Sequence, residues 1–277
     1  MDRKMKTSIL IAAGACLTIT FIVIGVVVSI LVKNQAANQL AIQESADKSV
    51  IDMAAASRKN TLEAAARAEE RKMVEANQKG KTALTNKDFN GAVIYFTKAI
   101  DLYPENADAY SGRGVSYNKT KKHSEAVEDL NKAIELNPKD ADAYSARGNS
   151  YMVLGEDQKS ADDHTKVIEL SPENAAAYAA RGVVLRKLKK YPEAIEDFTK
   201  AIELDPKNAS HYADRGFAYH TIKKESEAIT DCTRSIELNP KNSWAYLTRS
   251  LAYSSLKDSK KSLADLFMSN ALSKQGF

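Results

Sequence analysis

The sequence predicts an all-α protein: a solenoid of six helix hairpins, preceded by a membrane-crossing helix and a helical stalk. Three observations carry this. From about Met73 onward, several residue types recur every 34 positions. Thr7 to Val32 is a run of 26 residues without a charge. Residues 33–72, between the two, contain no Gly, Pro or aromatic residue, and so nothing that breaks a helix. The expected domains are 1–32, a basic amino terminus and transmembrane helix; 33–72, an Ala-rich stalk; and 73–277, the repeat domain.

The first element is read from length and charge. A helix rises about 1.5 Å per residue, and about 20 apolar residues cross the hydrocarbon core. Residues 7–32 are long enough to lie in a lipid bilayer with some tilt. Their many β-branched side chains are no obstacle, because in lipid the backbone must satisfy its own polar groups. A cleaved signal peptide and a lipidated Cys16 are the alternatives. A signal's apolar core runs about 7–15 residues and ends at small residues. Here the small cluster Ala12-Ala13-Gly14-Ala15 precedes the strongest apolar run, Ile19 to Val28, and Ala13 stands where a lipoprotein would carry a bulky aliphatic. Both features favour an uncleaved anchor. Arg3, Lys4 and Lys6 precede the span, while Lys33 and Lys48 follow it. Positive charge favours the cytoplasmic side. That puts the amino terminus in the cytoplasm and the repeats in an extracytoplasmic space, the periplasm in a bacterium.

The stalk is rich in Ala, Gln, Glu, Lys and Arg, all good helix formers. As one helix it would extend roughly 60 Å. A seam runs through Ala36, Leu40, Val50, Ala54, Ala64 and Ala68, but Gln43, Asp47, Ser57 and Thr61 interrupt it. A coiled-coil dimer and a solvated spacer both stay open.

The repeats are the most specific signal. Pro104, Pro138, Pro172, Pro206 and Pro240 stand 34 residues apart. So do Tyr110, Tyr144, Tyr178, Tyr212 and Tyr246, and Arg113, Arg147, Arg181, Arg215 and Arg249. Gly114, Gly148, Gly182 and Gly216 follow the first four arginines. Asn106, Asp140, Asn174, Asn208 and Asn242 precede each first helix, where their side chains can accept from free N–H groups. A recurrent mid-helix glycine implies close approach of a partner helix, with Ala126, Ala194 and Ala228 opposite the gap. Each proline ends a second helix, since it lacks an N–H and restricts the residue before it.

These ladders resemble the tetratricopeptide repeat family, whose pattern is Trp-x2-Leu-Gly-x2-Tyr, then Ala-x3-Phe, then Pro. Tyr110, Arg113, Gly114, Tyr117, Ala126, Leu130 and Pro138 follow it, with Tyr for Trp and Arg for Leu. In this register the repeats are 73–106, 107–140, 141–174, 175–208, 209–242 and 243–276. The first is degenerate, and the last has Ser250 for glycine; divergent ends are expected of a solenoid. The resemblance implies a right-handed superhelix of antiparallel helix pairs. The arginine departs from the family pattern, and Asp129, Asp163, Asp197, Asp231 and Asp265 follow it by 16 residues. Repeat one has Lys79 and Tyr95 instead. Co-occurrence suggests that Arg and Asp pair between helices; a charged recognition ladder is the alternative.

No catalytic residues are expected. His164 takes the slot held by Phe96, Leu130 and Phe198, and so should be packed. His123, His211 and His220 have no Cys or His companions for a metal. No Gly-rich phosphate loop, nucleophile elbow or triad spacing is present, so no cofactor is expected. The net charge of +4 comes from 40 basic and 36 acidic residues with interleaved signs, unlike the clustered basic face of a nucleic-acid binder. Lys-Lys pairs such as Lys121/Lys122 and Lys189/Lys190 fall at turns and read as solvated. Cys16 and Cys232 are the two cysteines, in different zones, so no disulfide framework reports a compartment.

In the family the first helices line a concave groove whose variable residues choose a protein ligand. The resemblance places Asp108, Ser111, Val115 and Asn118 there, then Asp142, Ser145, Asn149 and Met152, then Val183 and Arg186, then Phe217 and His220. Last come Trp244, Leu247 and Leu251, which share one helical face and have no evident internal use. Such a patch marks an interface, unless 271–277 folds back over it. Partner-binding candidates are thus Asn149, Val183, Arg186, Phe217, His220, Trp244, Leu247 and Leu251. Relatives that clamp an acidic chaperone tail use Lys and Asn at set groove positions. Asn77/Lys81, Ser111/Val115, Ser145/Asn149 and Ala179/Val183 do not match, which disfavours that ligand. The expected function is a membrane-anchored scaffold for a protein or peptide partner. A self-assembling structural protein, homo-oligomeric through its ends or stalk, and a transport receptor with cytosolic repeats are the rivals.

Overall fold

The computed structural model describes the backbone of residues 2–274 and, before Thr20, the side chains of Asp2, Lys4, Met5, Thr7, Ser8, Ile9 and Gly14. Readings that rest on Arg3, Lys6, Ala12, Ala13, Ala15 and Cys16, or on the last three residues of 271–277, lie outside the described residues. Among those described, the regular structure is helical. α1 spans Arg3–Thr85, α2 Phe89–Leu102, α3 Ala107–Lys119, α4 His123–Leu136, α5 Ala141–Leu154 and α6 Asp157–Leu170. α7 spans Ala175–Lys187, α8 Tyr191–Leu204, α9 Ala209–Thr221, α10 Glu225–Leu238, α11 Ser243–Ser255 and α12 Ser259–Lys274. The chain forms two compact units, 1–68 and 69–277.

In the first unit, α1 is exposed wherever its side chains are described. Its stretch after Thr20 is long and apolar enough to cross a membrane, and none of that stretch is buried. Leu40, Ile42, Val50, Ile51, Met53 and Leu62 are also exposed. Local pairs such as Glu63–Arg67 and Gln43–Asp47 decorate the stalk. They are one helical turn apart, each adding a few tenths of a kcal/mol.

The second unit is a row of six helix hairpins, beginning with the end of α1 against α2. Each later helix packs on the one before it, and α3 with α5, α7 with α9 and α9 with α11 touch as well. First helices thus line up side by side. Capping follows the ladders. Asn106, Asp140, Asn174, Asn208 and Asn242 each accept from a backbone N–H two or three residues on. The second helices end at Leu102, Leu136, Leu170, Leu204 and Leu238, each two residues before the proline.

The glycine ladder has a different partner from the one its spacing suggests. A Cβ on Gly80 would come within 2.7 Å of Phe96, one on Gly114 within 2.7 Å of Leu130, and one on Gly182 within 2.8 Å of Phe198. The large side chain of each second helix fills the gap, while Ala126 and Ala228 border it through backbone carbonyls. Phe96, Leu130, His164, Phe198 and Cys232 are all fully buried. Repeat six replaces the glycine with Ser250, whose hydroxyl donates to the Ser262 carbonyl at 2.8 Å.

The arginine ladder is architectural. Arg113, Arg147, Arg181, Arg215 and Arg249 each donate from Nε and Nη2 to the two carboxylate oxygens of the aspartate 16 residues on, at 2.7–2.9 Å. Such forked, charge-assisted pairs are the strong ones. The remaining Nη1 reaches the preceding repeat. It donates to Thr97, Asn131, Thr165, Thr199 and Thr233 at 2.7–3.1 Å. Each guanidinium therefore ties its own hairpin together and joins that hairpin to its neighbour. Tyrosines flank it: Arg113 lies 5.7 Å from the Tyr110 ring centre and 6.0 Å from that of Tyr117.

Candidate functional site

The candidate residues lie on α5, α7, α9 and α11. Asn149 is exposed, while Val183, Arg186, Phe217, His220, Trp244 and Leu247 are half-buried. Leu251 is exposed.

Three of them form one cluster across three repeats. The rings of Phe217 and Trp244 lie 5.0 Å apart and tilted by 35°. The Arg186 guanidinium lies 5.0 Å from the Phe217 ring centre and 6.0 Å from that of Trp244. A cation over an aromatic face gains about 0.5–2 kcal/mol, more when dry. The expectation that the Trp244 face has no internal use is therefore corrected. Trp244 packs on Phe217, and its ring is partly consumed in joining repeats five and six. Leu251 on the same helix keeps its exposure.

Arg186 is held loosely as a charge. One of its terminal nitrogens lies 3.8 Å from Asp214, beyond hydrogen-bond reach, and its Nε is buried with no hydrogen-bond partner. Burial pushes the Asp214 carboxyl above the usual carboxylate range, and Arg186 pulls it back in part. The guanidinium plane is thus occupied by aromatic faces while its edge is under-used. The terminal N–H groups can donate to a carboxylate or carbonyl.

His220 is engaged within its own hairpin. Its Nδ1 is 2.7 Å from Glu225 at the start of the next helix. Asn118 and His123 make the same turn-bridging contact at 3.0 Å, three repeats earlier. Asn118 also donates to the Ala146 carbonyl at 2.9 Å and accepts from Ser150. In the early repeats Lys81 pairs with Asp108 at 2.9 Å, and Asn77 bonds Asn106. Open space lies there too. A hollow of about 620 Å³ is lined by Lys81, Ser111, Val115, Asp140 and Asp142 among others. One of about 280 Å³ is lined by Asn118, Asn149 and Met152 among others.

Sequence reasoning missed Asp214 and the Arg186–Phe217–Trp244 contact. A usable signal existed. Residues 28 apart on successive first helices face each other, as Asn118 and Ala146 do, and Arg186 and Asp214 share that offset.

Family models described as the tetratricopeptide repeat match residues 107–140, 175–208, 198–230 and 76–106. Hsp70-Hsp90 organizing protein 3 of Arabidopsis thaliana is 40% identical over 55 residues, which is 20% of this chain and 10% of that protein. The chain thus spans about a tenth of the length of the curated relatives it matches. A crystal structure of MamA protein is similar with a TM-score of 0.57 and 26% identity, covering 62% of this chain and 94% of that one. YrrB, described as a TPR protein with an unusual peptide-binding site, gives a TM-score of 0.55 and 24% identity over 64% of this chain and 91% of its own. The six-hairpin array is built of tetratricopeptide repeats.

Proposed function

We propose that this protein is a membrane-anchored scaffold that captures a segment of a partner protein on the first-helix face of its repeats, and that it acts by binding rather than by catalysis. One observation carries the reading. The ladder residues are spent inside the fold, whereas Arg186, Phe217, Trp244 and Leu251 vary between repeats and together offer a cation edge beside exposed apolar surface. An exposed apolar patch next to an under-used polar group suits a protein ligand. YrrB, with its own peptide-binding site, supports the class of ligand. Asn149 and Val183 extend the same face toward repeats three and four, while His220, tied to Glu225, shapes the wall.

The apolar stretch of α1 supports insertion of residues 7–32 in the bilayer, with the amino terminus cytoplasmic and the repeats extracytoplasmic. Protease added to sealed right-side-out membrane vesicles is then expected to digest the repeats; digestion only after permeabilisation would reverse the topology. For the groove, a photoreactive residue at Leu251 is expected to crosslink one discrete partner, and Trp244→Ala to weaken that product at least tenfold. A product equally strong from the second-helix position Glu196 would sink the groove reading.

A further inference from the structure

Inside the array, each repeat joins the next by the same pair of features. An arginine Nη1 donates to a Thr or Asn on the preceding second helix. Beside that acceptor, a fully buried side chain fills the seam. Both halves of the joint are altered at the two ends of the array, and the alterations match.

At the sixth repeat the acceptor position holds Phe267, which is 73% exposed. Leu266 occupies the slot that is fully buried in the other five repeats, yet it is 38% exposed, and Leu263 one turn earlier is 66% exposed. At the first repeat the donor position holds Lys79, whose ammonium turns to Glu75 on its own helix at 2.7 Å. The aspartate position there holds Tyr95. So one end has no acceptor for an arginine, and the other has no arginine seeking one. Instead the sixth repeat presents an apolar knob. The first repeat presents a hollow of about 480 Å³ lined by residues that include Lys79, Thr82, Ala83 and Tyr95.

The ladder fixes what belongs over that hollow. Lys79 and Tyr95 stand where Arg113 and Asp129 stand one repeat later. The residue that meets Arg113 from the preceding repeat is Thr97. In a continued array, the residue over Lys79 would come from the Thr97 position of a preceding second helix. In another copy of this chain that residue is Phe267.

We propose that copies of this protein associate head to tail, with Phe267 of one copy seated in the Lys79–Tyr95 hollow of the next. The chemistry fits. An aromatic ring packs well against the stem of a lysine and the face of a tyrosine. The α12 face brings no unpaired acid, because Asp265 is held by Arg249 at 2.7 Å. A two-fold pairing of α12 faces would leave the Tyr95 hollow unfilled. A heterologous contact of this kind propagates instead of closing, so it yields open rows of copies. The contact uses other residues than the groove and does not rest on the groove reading.

The test uses the full chain, with a photoreactive phenylalanine at position 267 in one population and heavy-isotope label in another. Irradiation in membranes is expected to link position 267 to the peptide holding Lys79, Thr82 or Tyr95 of the other population. In detergent, Phe267→Asp is expected to lower the weight-average mass by sedimentation to that of one copy. The exposed second-helix variant Glu196→Ala leaves that mass unchanged. Phe267 is exposed, so an unaltered far-ultraviolet dichroism will show that the variant folds. Crosslinks to α12 of another copy, to lipid alone or to a different protein would overturn the proposal. So would a mass that Phe267→Asp does not change.

Discussion

The first and fourth repeats close their hairpins alike and join their neighbours differently. In both, a glycine on the first helix meets a phenylalanine on the second: Gly80 with Phe96, and Gly182 with Phe198. Repeat four adds Arg181, which forks onto Asp197 at 2.8 and 2.7 Å and reaches Thr165 of repeat three at 3.1 Å. Repeat one has Lys79 on the surface with a local glutamate. The difference separates two jobs. Glycine and a large apolar side chain close a hairpin in either repeat; the guanidinium adds a second tie within its hairpin and the tie to the preceding one. In a quasi-one-dimensional array, stability is a sum of unit and nearest-neighbour terms, and the guanidinium acts on both.

The sharpest way to break the comparison is to remove the two cations. Arg181→Ala leaves Asp197 buried without its partner. Breaking a buried pair this way costs about 3–5 kcal/mol. Lys79→Ala removes an exposed, solvent-screened pair and should leave the unfolding midpoint nearly unchanged. Urea unfolding of both variants gives the contrast directly. Equal midpoints would show that the ladder is decorative. The Arg181→Ala, Asp197→Ala double variant should lose less than the sum of the singles, since contacting residues couple.

Most of the fold was legible because the residues that repeat are the ones that fold. Spacing placed all five Arg–Asp pairs, the caps and the prolines. Its choice of the alanines alone is instructive. A glycine gap is filled by whatever side chain points into it, and periodicity alone does not say that Leu130 and Phe198 reach furthest into it. The groove was less legible for the opposite reason. Arg186, Phe217 and Trp244 occur once each and carry no internal repeat. Their meeting depends on how successive first helices lie side by side, which is a tertiary fact. The Thr97 ladder carries the 34-residue period too, but its partner is the third nitrogen of an arginine in the next repeat, and only the fold brings the two together.

Repeat three sharpens the comparison through pH. Where repeats one and four bury phenylalanine, it buries His164, with neither ring nitrogen hydrogen-bonded. Burial pushes this imidazole down to about 4 from an ordinary 6.5, and the Arg181 charge adds to the effect. The folded state therefore holds His164 neutral while the unfolded chain takes a proton. Stability is fully present above the unfolded value and falls as pH drops from 6.5 toward 4. Each pH unit in that window removes about 1.4 kcal/mol, for a total of about 3 kcal/mol. Urea midpoints at pH 7.5 and 4.5 should differ more for the natural chain than for His164→Leu. Equal acid sensitivity in the two would mean that His164 titrates normally or that another group governs the loss.

The turns give the smallest contrast. The residue after each first helix's closing turn has a left-handed backbone: Lys87, Lys121, Lys189, Lys223 and Lys257 have φ of 60–64°, and repeat three has Gly155 at 79°. The second lysine of a pair earns its place differently, as Lys122 lies 5.7 Å from the Tyr117 ring centre and Lys224 lies 5.8 Å from that of Tyr219. A side chain in the left-handed region costs about 1–2 kcal/mol, whereas glycine adopts it freely but loses more entropy on folding. The net expectation for Lys189→Gly is a gain of about 0.5–1 kcal/mol, and for Gly155→Lys a loss of the same size. Lys190→Gly, one residue on, lies at a position with φ of −86° and should lose stability instead. Opposite signs at adjacent residues would locate the effect in the backbone; equal signs would assign it to the loss of surface charge.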